Sequence, residues 1–218
     1  MYLSLLLLDP RSRQVLRELA EPYEMHRTLS KAFDALSVDG KGRLLFRAEP
    51  DRRGGAVTVL VQSATVPDWS RLSAERYLVE ALPPKEVRLA FQPGQRCRFR
   101  LRANPTVKRE GHRHALMREE EQIRWLRRKG ERHGFRLADS GHADLPDLIV
   151  TPEGRTHGRK AGDQGEYQMV HFAVRFDGVL EVTDPAALAA AVRDGLGSAK
   201  AFGFGLLSLA AIPPRTTG

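Results

Sequence analysis

Apolar residues recur along this chain with a period that changes several times, and each change marks an element. Residues 2–8 (YLSLLLL) are a nearly continuous apolar run halted by Asp9 and Pro10, which reads as a buried strand. From about Ser12 the spacing becomes helical, breaks at Pro22, and resumes to about Leu36. RLLFRAE at 43–49 and VTVLVQSA at 57–64 predict two strands joined across a polar turn that contains Gly54 and Gly55. KEVRLAF at 85–91 predicts a fourth strand, which leaves 70–80 for a second helix although the periodicity there is weak. The order is that of a ferredoxin-like half.

Pro93-Gly94 marks a turn and a boundary. QRCRFRLRAN at 95–104 then alternates strictly, with Arg96, Arg98, Arg100 and Arg102 on one face and Cys97, Phe99 and Leu101 on the other. Four arginines on one face repel one another unless water or an anion covers them. A helix is predicted at about 118–133 around Ile123, Trp125 and Leu126. Strands follow at 147–151, 167–176 and 179–182, the last two joined by an Asp177-Gly178 hairpin turn. Asp184-Pro185 opens a further helix as a cap residue and a first-turn proline, and FGLLSLAAI at 204–212 closes the chain as a strand. The expected fold class is α+β: two tandem ferredoxin-like (βαββαβ) domains, 1–91 and 95–218, joined by a short linker. The halves share little sequence, so the repetition is one of architecture.

Charge changes this picture more than composition does. Residues 85–136 hold 16 basic and 6 acidic side chains, more than the whole +8 excess of the chain. Such a concentration recruits polyanions, and 28 of the 35 basic residues are arginine, which pairs with phosphate in a two-pronged geometry. A GC-rich genome explains arginine over lysine but not the clustering. The longest apolar run, LLLL at 5–8, is far short of the roughly 20 residues a membrane helix needs, and no signal peptide is legible. The single cysteine, Cys97, fits a reducing cytoplasm.

Three constellations carry candidate chemistry. In PYEMHRTLSKAF at 22–33, Met25, Leu29, Ala32 and Phe33 share the core stripe, while Tyr23, His26, Arg27 and Ser30 lie opposite, with Lys31 beside Arg27. A histidine with an ordinary pKa of about 6.5, next to a tyrosine and cations, suits proton transfer near a phosphate; the alternative is a solvated helix face. GLGSAKAFGFGLLSL at 195–209 sets Lys200 among glycines that include Gly203 and Gly205, residues whose backbone N–H groups approach a phosphate closely. It lacks the P-loop ending, so a nucleotide cofactor is disfavoured. The polar stretch 153–165 places Arg155, Arg159 and Lys160 at the tip of a long hairpin, aimed at an RNA groove or backbone, or else forms a surface loop. His112 and His114 have no carboxylate company beyond Glu110, and no metal or cofactor is called for.

Together, PYEMHRTLSKAF, FRLRANP at 99–105 and GLGSAKAFGFGLLSL resemble the CRISPR-associated CasE family, the repeat-cleaving endoribonucleases of Cascade-type RNA-guided complexes. The resemblance runs essentially the full length. It implies binding of a CRISPR repeat hairpin and one metal-independent cut at the 3′ base of its stem. The neighbouring 2′-hydroxyl attacks, leaving 2′,3′-cyclic phosphate and 5′-hydroxyl ends, and the enzyme stays on the mature crRNA as a Cascade subunit. His26 and Tyr23 match the family's active-site histidine and tyrosine, Lys31 is the cation beside them, and Ser30 is a further candidate. Arg27, Arg102, Lys108 and Arg109 are expected on the RNA backbone, with Arg155, Arg159 and Lys160 in its groove and Lys200, Gly203 and Gly205 in the glycine loop. The stretches 106–117 and 153–165 match no family motif. The protein alone is expected to be monomeric and not membrane-bound. The rivals are a non-catalytic RNA-hairpin-binding subunit, a purely structural ribonucleoprotein subunit, and a metal-dependent nuclease, the last opposed by the lack of clustered carboxylates.

Overall fold

The computed structural model describes residues 1–34, 44–49, 55–72, 76–141, 145–162 and 165–212, with side chains undescribed over 159–168. The chain is α+β and divides into two sheet-rich units. The first holds Met1–Arg88, Arg155–His171 and Gly197–Leu206; the second holds Leu89–Gly154, Phe172–Leu196 and the remainder from Leu207. Among the described residues there are four α-helices, none of them long and apolar enough to cross a membrane.

In the first unit the apolar run becomes β1 (Tyr2–Leu8), an inner strand of an antiparallel sheet, with Ser4, Leu6 and Leu8 on its buried face and Leu3, Leu5 and Leu7 half-buried on the other. Its neighbours are β3 (Val57–Ser63) and β4 (Leu78–Ala81), and β2 (Leu45–Glu49) lies outside β3, giving the path β2-β3-β1-β4. The β1–β3 register runs from Tyr2 opposite Ser63 to Leu8 opposite Val57. Leu6 and Leu8 are fully buried with Val15 of α1 (Arg13–Ala20) and Met25 and Leu29 of α2 (Pro22–Ser30). The helix break falls at Pro22 as expected, with Ser12 capping α1. The expected continuation to about Leu36 does not occur: α2 ends at Ser30, and 35–43 lie outside the described residues.

Two expectations for this unit are corrected. The fourth strand is β4, in the stretch where a second helix was sought, and among the described residues there the helix is a single 3-10 turn, Trp69–Leu72. Trp69 and Leu72 give apolar spacing for one turn only, and both are buried by it. KEVRLAF contributes just two paired residues, β5 (Lys85–Glu86), beside the start of β1. Pro83 and Pro84 immediately before it lack the N–H donors that a longer ladder requires.

The second unit is built on β6 (Arg96–Ala103), flanked by β11 (Gly165–Val182) and β12 (Leu207–Ala211), with β10 (Leu148–Gly162) outside β11. Cys97, Phe99 and Leu101 are buried, and the arginines face the other way. β7 (Thr106–Arg109) and β8 (His112–Ala115) make a separate hairpin, and β9 (Phe135–Leu137) pairs with β11. The helices are α3 (Glu119–Arg132) and α4 (Pro185–Asp194), the latter capped by Asp184, whose side chain accepts from the Ala186 and Ala187 N–H groups at 2.9 and 3.0 Å. Asp177-Gly178 is not a hairpin turn: β11 runs straight through it, opposite Arg100 and Phe99. The glycine serves close approach, since a Cβ there would meet the Asp147 carbonyl. Of the polar stretch, 153–162 is likewise strand rather than loop, so Arg155, Arg159 and Lys160 belong to β10, and 163–164 lie outside the described residues.

Burial of Glu18 locks the first unit's helices to its sheet. This carboxylate is 1% exposed and accepts from Gln14 Nε2 at 2.8 Å, Thr28 Oγ1 at 2.6 Å and the Tyr77 hydroxyl at 2.6 Å. Burial, then the bond to Glu18, pushes the Tyr77 phenol well above its ordinary pKa. Glu18→Ala leaves the Tyr77 and Thr28 hydroxyls stranded in the interior. It is expected to cost about 3 kcal/mol in urea unfolding, against about 1 kcal/mol for Glu18→Gln, which keeps the shape and can still bond both hydroxyls.

Candidate active site

Helix α2 begins with Pro22 at its first position and carries Glu24 in its first turn, both suited to a helix N-terminus. Met25, Thr28 and Leu29 face the interior, which turns Tyr23, His26, Arg27 and Ser30 the other way. Tyr23 and His26, one turn apart, hold their rings nearly parallel, 6° between planes with centroids 6.3 Å apart. Both are half-buried. Ser30 donates to the His26 carbonyl at 2.7 Å, which tightens the last turn beneath the histidine. Arg27 is exposed and paired with Glu24 at 3.2 Å. Lys31 is exposed just past the helix end and has no carboxylate partner among the described residues.

The glycine-rich stretch supplies the other wall. Its Lys200–Phe202 segment is a 3-10 turn bounded by Ala199 and Gly203, both left-handed. Phe202 stacks on Tyr23 at 5.4 Å. Gly203 has φ +75° and lies against Phe46, where a Cβ would come within 3.2 Å of the ring, so backbone conformation and space both select glycine. Phe46 of β2 meets His26 at 6.3 Å. Arg47, its neighbour, is 5% exposed, pairs with Glu49 at 2.6 Å, and donates to the Leu206 carbonyl at 3.4 Å, fastening the end of the glycine stretch to β2. His171 from β11 completes the cluster, edge-on to Phe202 at 4.7 Å and to Phe204 at 5.9 Å. Burial among these rings lowers the His26 pKa below its ordinary value.

The expected RNA-binding residues fall in several places. In the first unit, Lys200 is half-buried in the 3-10 turn, Gly205 follows it, and Arg155 is exposed on β10. The side chains of Arg159 and Lys160 lie outside those described. In the second unit, Lys108 and Arg109 are exposed on the β7–β8 hairpin. Arg102 pairs with Glu153 at 2.7 Å, Arg175 joins Glu153 at 3.3 Å and Asp177 at 2.8 Å, and Asp177 holds Arg100. The protein therefore supplies carboxylates for the Arg100 and Arg102 part of the arginine face, while Arg96 and Arg98 lie exposed on the rest of it. Among the described residues no three His, Cys, Asp or Glu side chains group closely enough to hold a metal ion.

Sequence patterns did not single out Phe46, Phe202 or His171. Phe202 was in view only as a residue between glycines.

The match to the family described as CRISPR associated protein extends over residues 1–211, and the chain belongs to the CRISPR-associated Cse3/CasE endoribonuclease family. It is 45% identical over 216 residues to the CRISPR-associated endoribonuclease Cse3 of Thermus thermophilus, covering 96% of this chain and 100% of that protein. It is 31% identical to the CRISPR system Cascade subunit CasE of Escherichia coli, covering 86% and 91%. The solved structure of Thermus thermophilus Cse3 bound to an RNA representing a pre-cleavage complex superposes with a TM-score of 0.82 at 43% identity, covering 96% of this chain and 98% of that one.

The lowered His26 pKa has a consequence for stability. An unfolded histidine titrates near its ordinary value, above the folded one, so between the two the unfolded chain binds more protons and stability rises with pH. As pH falls through about 6.5 and on through the folded value, this contribution is lost. His26→Asn is expected to flatten that part of the profile, read as unfolding free energy in urea from pH 7.5 downward.

Proposed function

We propose that this chain is a metal-independent endoribonuclease that binds the CRISPR repeat hairpin, cuts pre-crRNA once at the 3′ base of the stem, and stays on the mature crRNA as a subunit of a Cascade-type complex. The reading is carried by the Tyr23–His26 pair walled by Phe202 and Phe46, in a chain 45% identical along the full length of an endoribonuclease. Its substrate and partners are argued from the relatives: one structure holds a pre-cleavage RNA, and another relative is a Cascade subunit.

The 2′-hydroxyl beside the scissile phosphate attacks in line, a 2′-O–P bond forms, and the P–O5′ bond breaks, leaving a 2′,3′-cyclic phosphate and a 5′-hydroxyl. One proton leaves the 2′-oxygen and one reaches the 5′-oxygen. His26 carries proton transfer, and its lowered pKa favours at neutral pH the neutral form that accepts. Tyr23 hydrogen-bonds to the reacting oxygens, and the Lys31 ammonium stabilises the doubly charged phosphorane. Arg27 and Ser30 beside them, Lys200 with Gly203 and Gly205 in the glycine stretch, and Arg155, Arg159 and Lys160 on β10 grip RNA in the first unit. Arg102, Lys108 and Arg109 grip the stem backbone in the second. Beside the carboxylate-paired Arg100, Arg102 and Arg175, the exposed Arg96 and Arg98 give that face positive charge for phosphate.

We also infer that each unit is a ferredoxin-like domain. Counting each unit's main strands in chain order, both sheets follow the same second-third-first-fourth path: β2-β3-β1-β4 and β10-β11-β6-β12. The free protein is read as a cytoplasmic monomer.

A labelled repeat hairpin incubated in EDTA is expected to give one cut with cyclic-phosphate and 5′-hydroxyl ends. His26→Ala is expected to slow it by about 10² to 10⁴-fold with binding retained, and Tyr23→Phe or Lys31→Ala by on the order of 10²-fold. Tight binding without cleavage by the unaltered protein would instead identify a non-catalytic RNA-binding subunit. Hairpin affinity is expected to fall steeply between about 50 and about 200 mM salt; a dissociation constant that does not move over that range would refute backbone gripping.

A further inference from the structure

Phe202 sits where three separated stretches of the first unit converge. Its ring stacks on Tyr23 of α2 at 5.4 Å with 30° between planes. From β11, His171 presses edge-on against it at 4.7 Å. From β10, the Gly158 backbone lies so close that a methyl group there would run into the ring. Phe202 is 4% exposed, and the left-handed residues on either side of its turn fix the backbone that presents it. The ring is therefore clamped from several directions, and it stacks on Tyr23.

Tyr23 is placed differently. Its hydroxyl has no hydrogen-bond partner among the described residues, so the phenol is located by ring contacts with Phe202 and His26. A side chain that must meet a reacting oxygen within a few tenths of an ångström is poorly served by one helix alone, and a rigid neighbour supplies the missing restraint.

We propose that Phe202 is a positioning residue: clamped by Gly158 and His171 of the β10–β11 hairpin, it fixes the Tyr23 ring and, through it, the Tyr23–His26 pair for in-line attack. This rests on the nuclease reading above. It also gives the hairpin a second task besides its cations, because RNA that displaces or seats the hairpin acts on Tyr23 through a single ring.

The test measures cleavage under single-turnover conditions together with affinity for a hairpin carrying a 2′-deoxy residue at the cut site. Phe202→Leu keeps apolar volume but loses the flat ring. It is expected to slow cleavage about tenfold or more while the dissociation constant stays within about twofold. In a Tyr23→Ala background the same substitution is expected to cost less than about twofold, because nothing is left for the ring to hold. Gly158→Ala, which leaves Phe202 in place but pushes it from the hairpin side, is expected to slow cleavage with the same affinity, and it carries the expectation independently should Phe202→Leu not fold. Cleavage at the unaltered rate in Gly158→Ala, or a full additional loss from Phe202→Leu on top of Tyr23→Ala, overturns the proposal. If the unaltered protein does not cleave at all, the nuclease reading fails and the clamp is judged in RNA-free protein by the His26 ring-proton resonance. Displacement of that resonance in Gly158→Ala supports the clamp, and an unmoved resonance overturns it.

Discussion

A carboxylate in an interior is costly unless donors surround it, and Glu18 has three: Gln14 from its own helix, Thr28 from α2, and Tyr77 from the approach to β4. Each donor comes from a different direction, so the group is satisfied in one arrangement of α1, α2 and the sheet and in few others. Thr28 lies on the face of α2 turned away from Tyr23 and His26. Whatever fixes Thr28 therefore fixes the rotation of α2 about its axis, and with it the direction in which the tyrosine and histidine rings point. Apolar packing of Met25 and Leu29 supplies most of the burial in this helix, but packing tolerates small rotations that three short hydrogen bonds to one charged group do not.

The second unit meets a different constraint, its own charge. Strict alternation in β6 places arginines on one face, where they would repel one another. Glu153 from β10 and Asp177 from β11 come across the sheet to bridge Arg100, Arg102 and Arg175 into one network. On α3 the remedy is the helix itself: Glu119, Glu120 and Glu121 occupy the first turn, and Lys129 and Arg132 the last. The crowding still shows at Lys129. Burial first, then the nearby Arg132, Arg113 and Arg128, lowers its pKa, while its ammonium lies 5.6 Å over the Trp125 ring.

Elements whose signal is local were legible in the sequence. The run that became β1, the alternation that became β6, and the Asp184-Pro185 start of α4 each contain their own instruction. β4 was not legible, because Leu78–Ala81 is held by pairing with β1, and a strand stabilised from outside needs no strong pattern of its own. Asp177-Gly178 misled for the same reason: the dipeptide favours a hairpin turn in isolation, yet continuous pairing with β6 keeps it extended, and its glycine serves the Asp147 carbonyl. At the candidate site, Tyr23 and His26 could be paired from helical spacing. Their surroundings could not, since Phe46, His171 and Phe202 come from three distant stretches whose meeting is a property of the fold.

An aromatic lining offers no proton relay of its own, yet it suits the proposed reaction. In the free protein, desolvation holds the His26 imidazole neutral and therefore able to accept a proton. Arrival of the scissile phosphate brings a negative charge towards the ring, and that charge favours the imidazolium. In the proposed reaction the basicity of His26 would thus rise on binding the substrate from which it takes a proton, and the low-polarity walls would strengthen the effect. In the proposed reaction Lys31, exposed just past the helix, would answer to the phosphorane, which gains charge as the 2′-oxygen bonds and so attracts the ammonium more strongly than the ground-state phosphate does. On this reading the rings make the histidine responsive to RNA, and the lysine answers to the transition state.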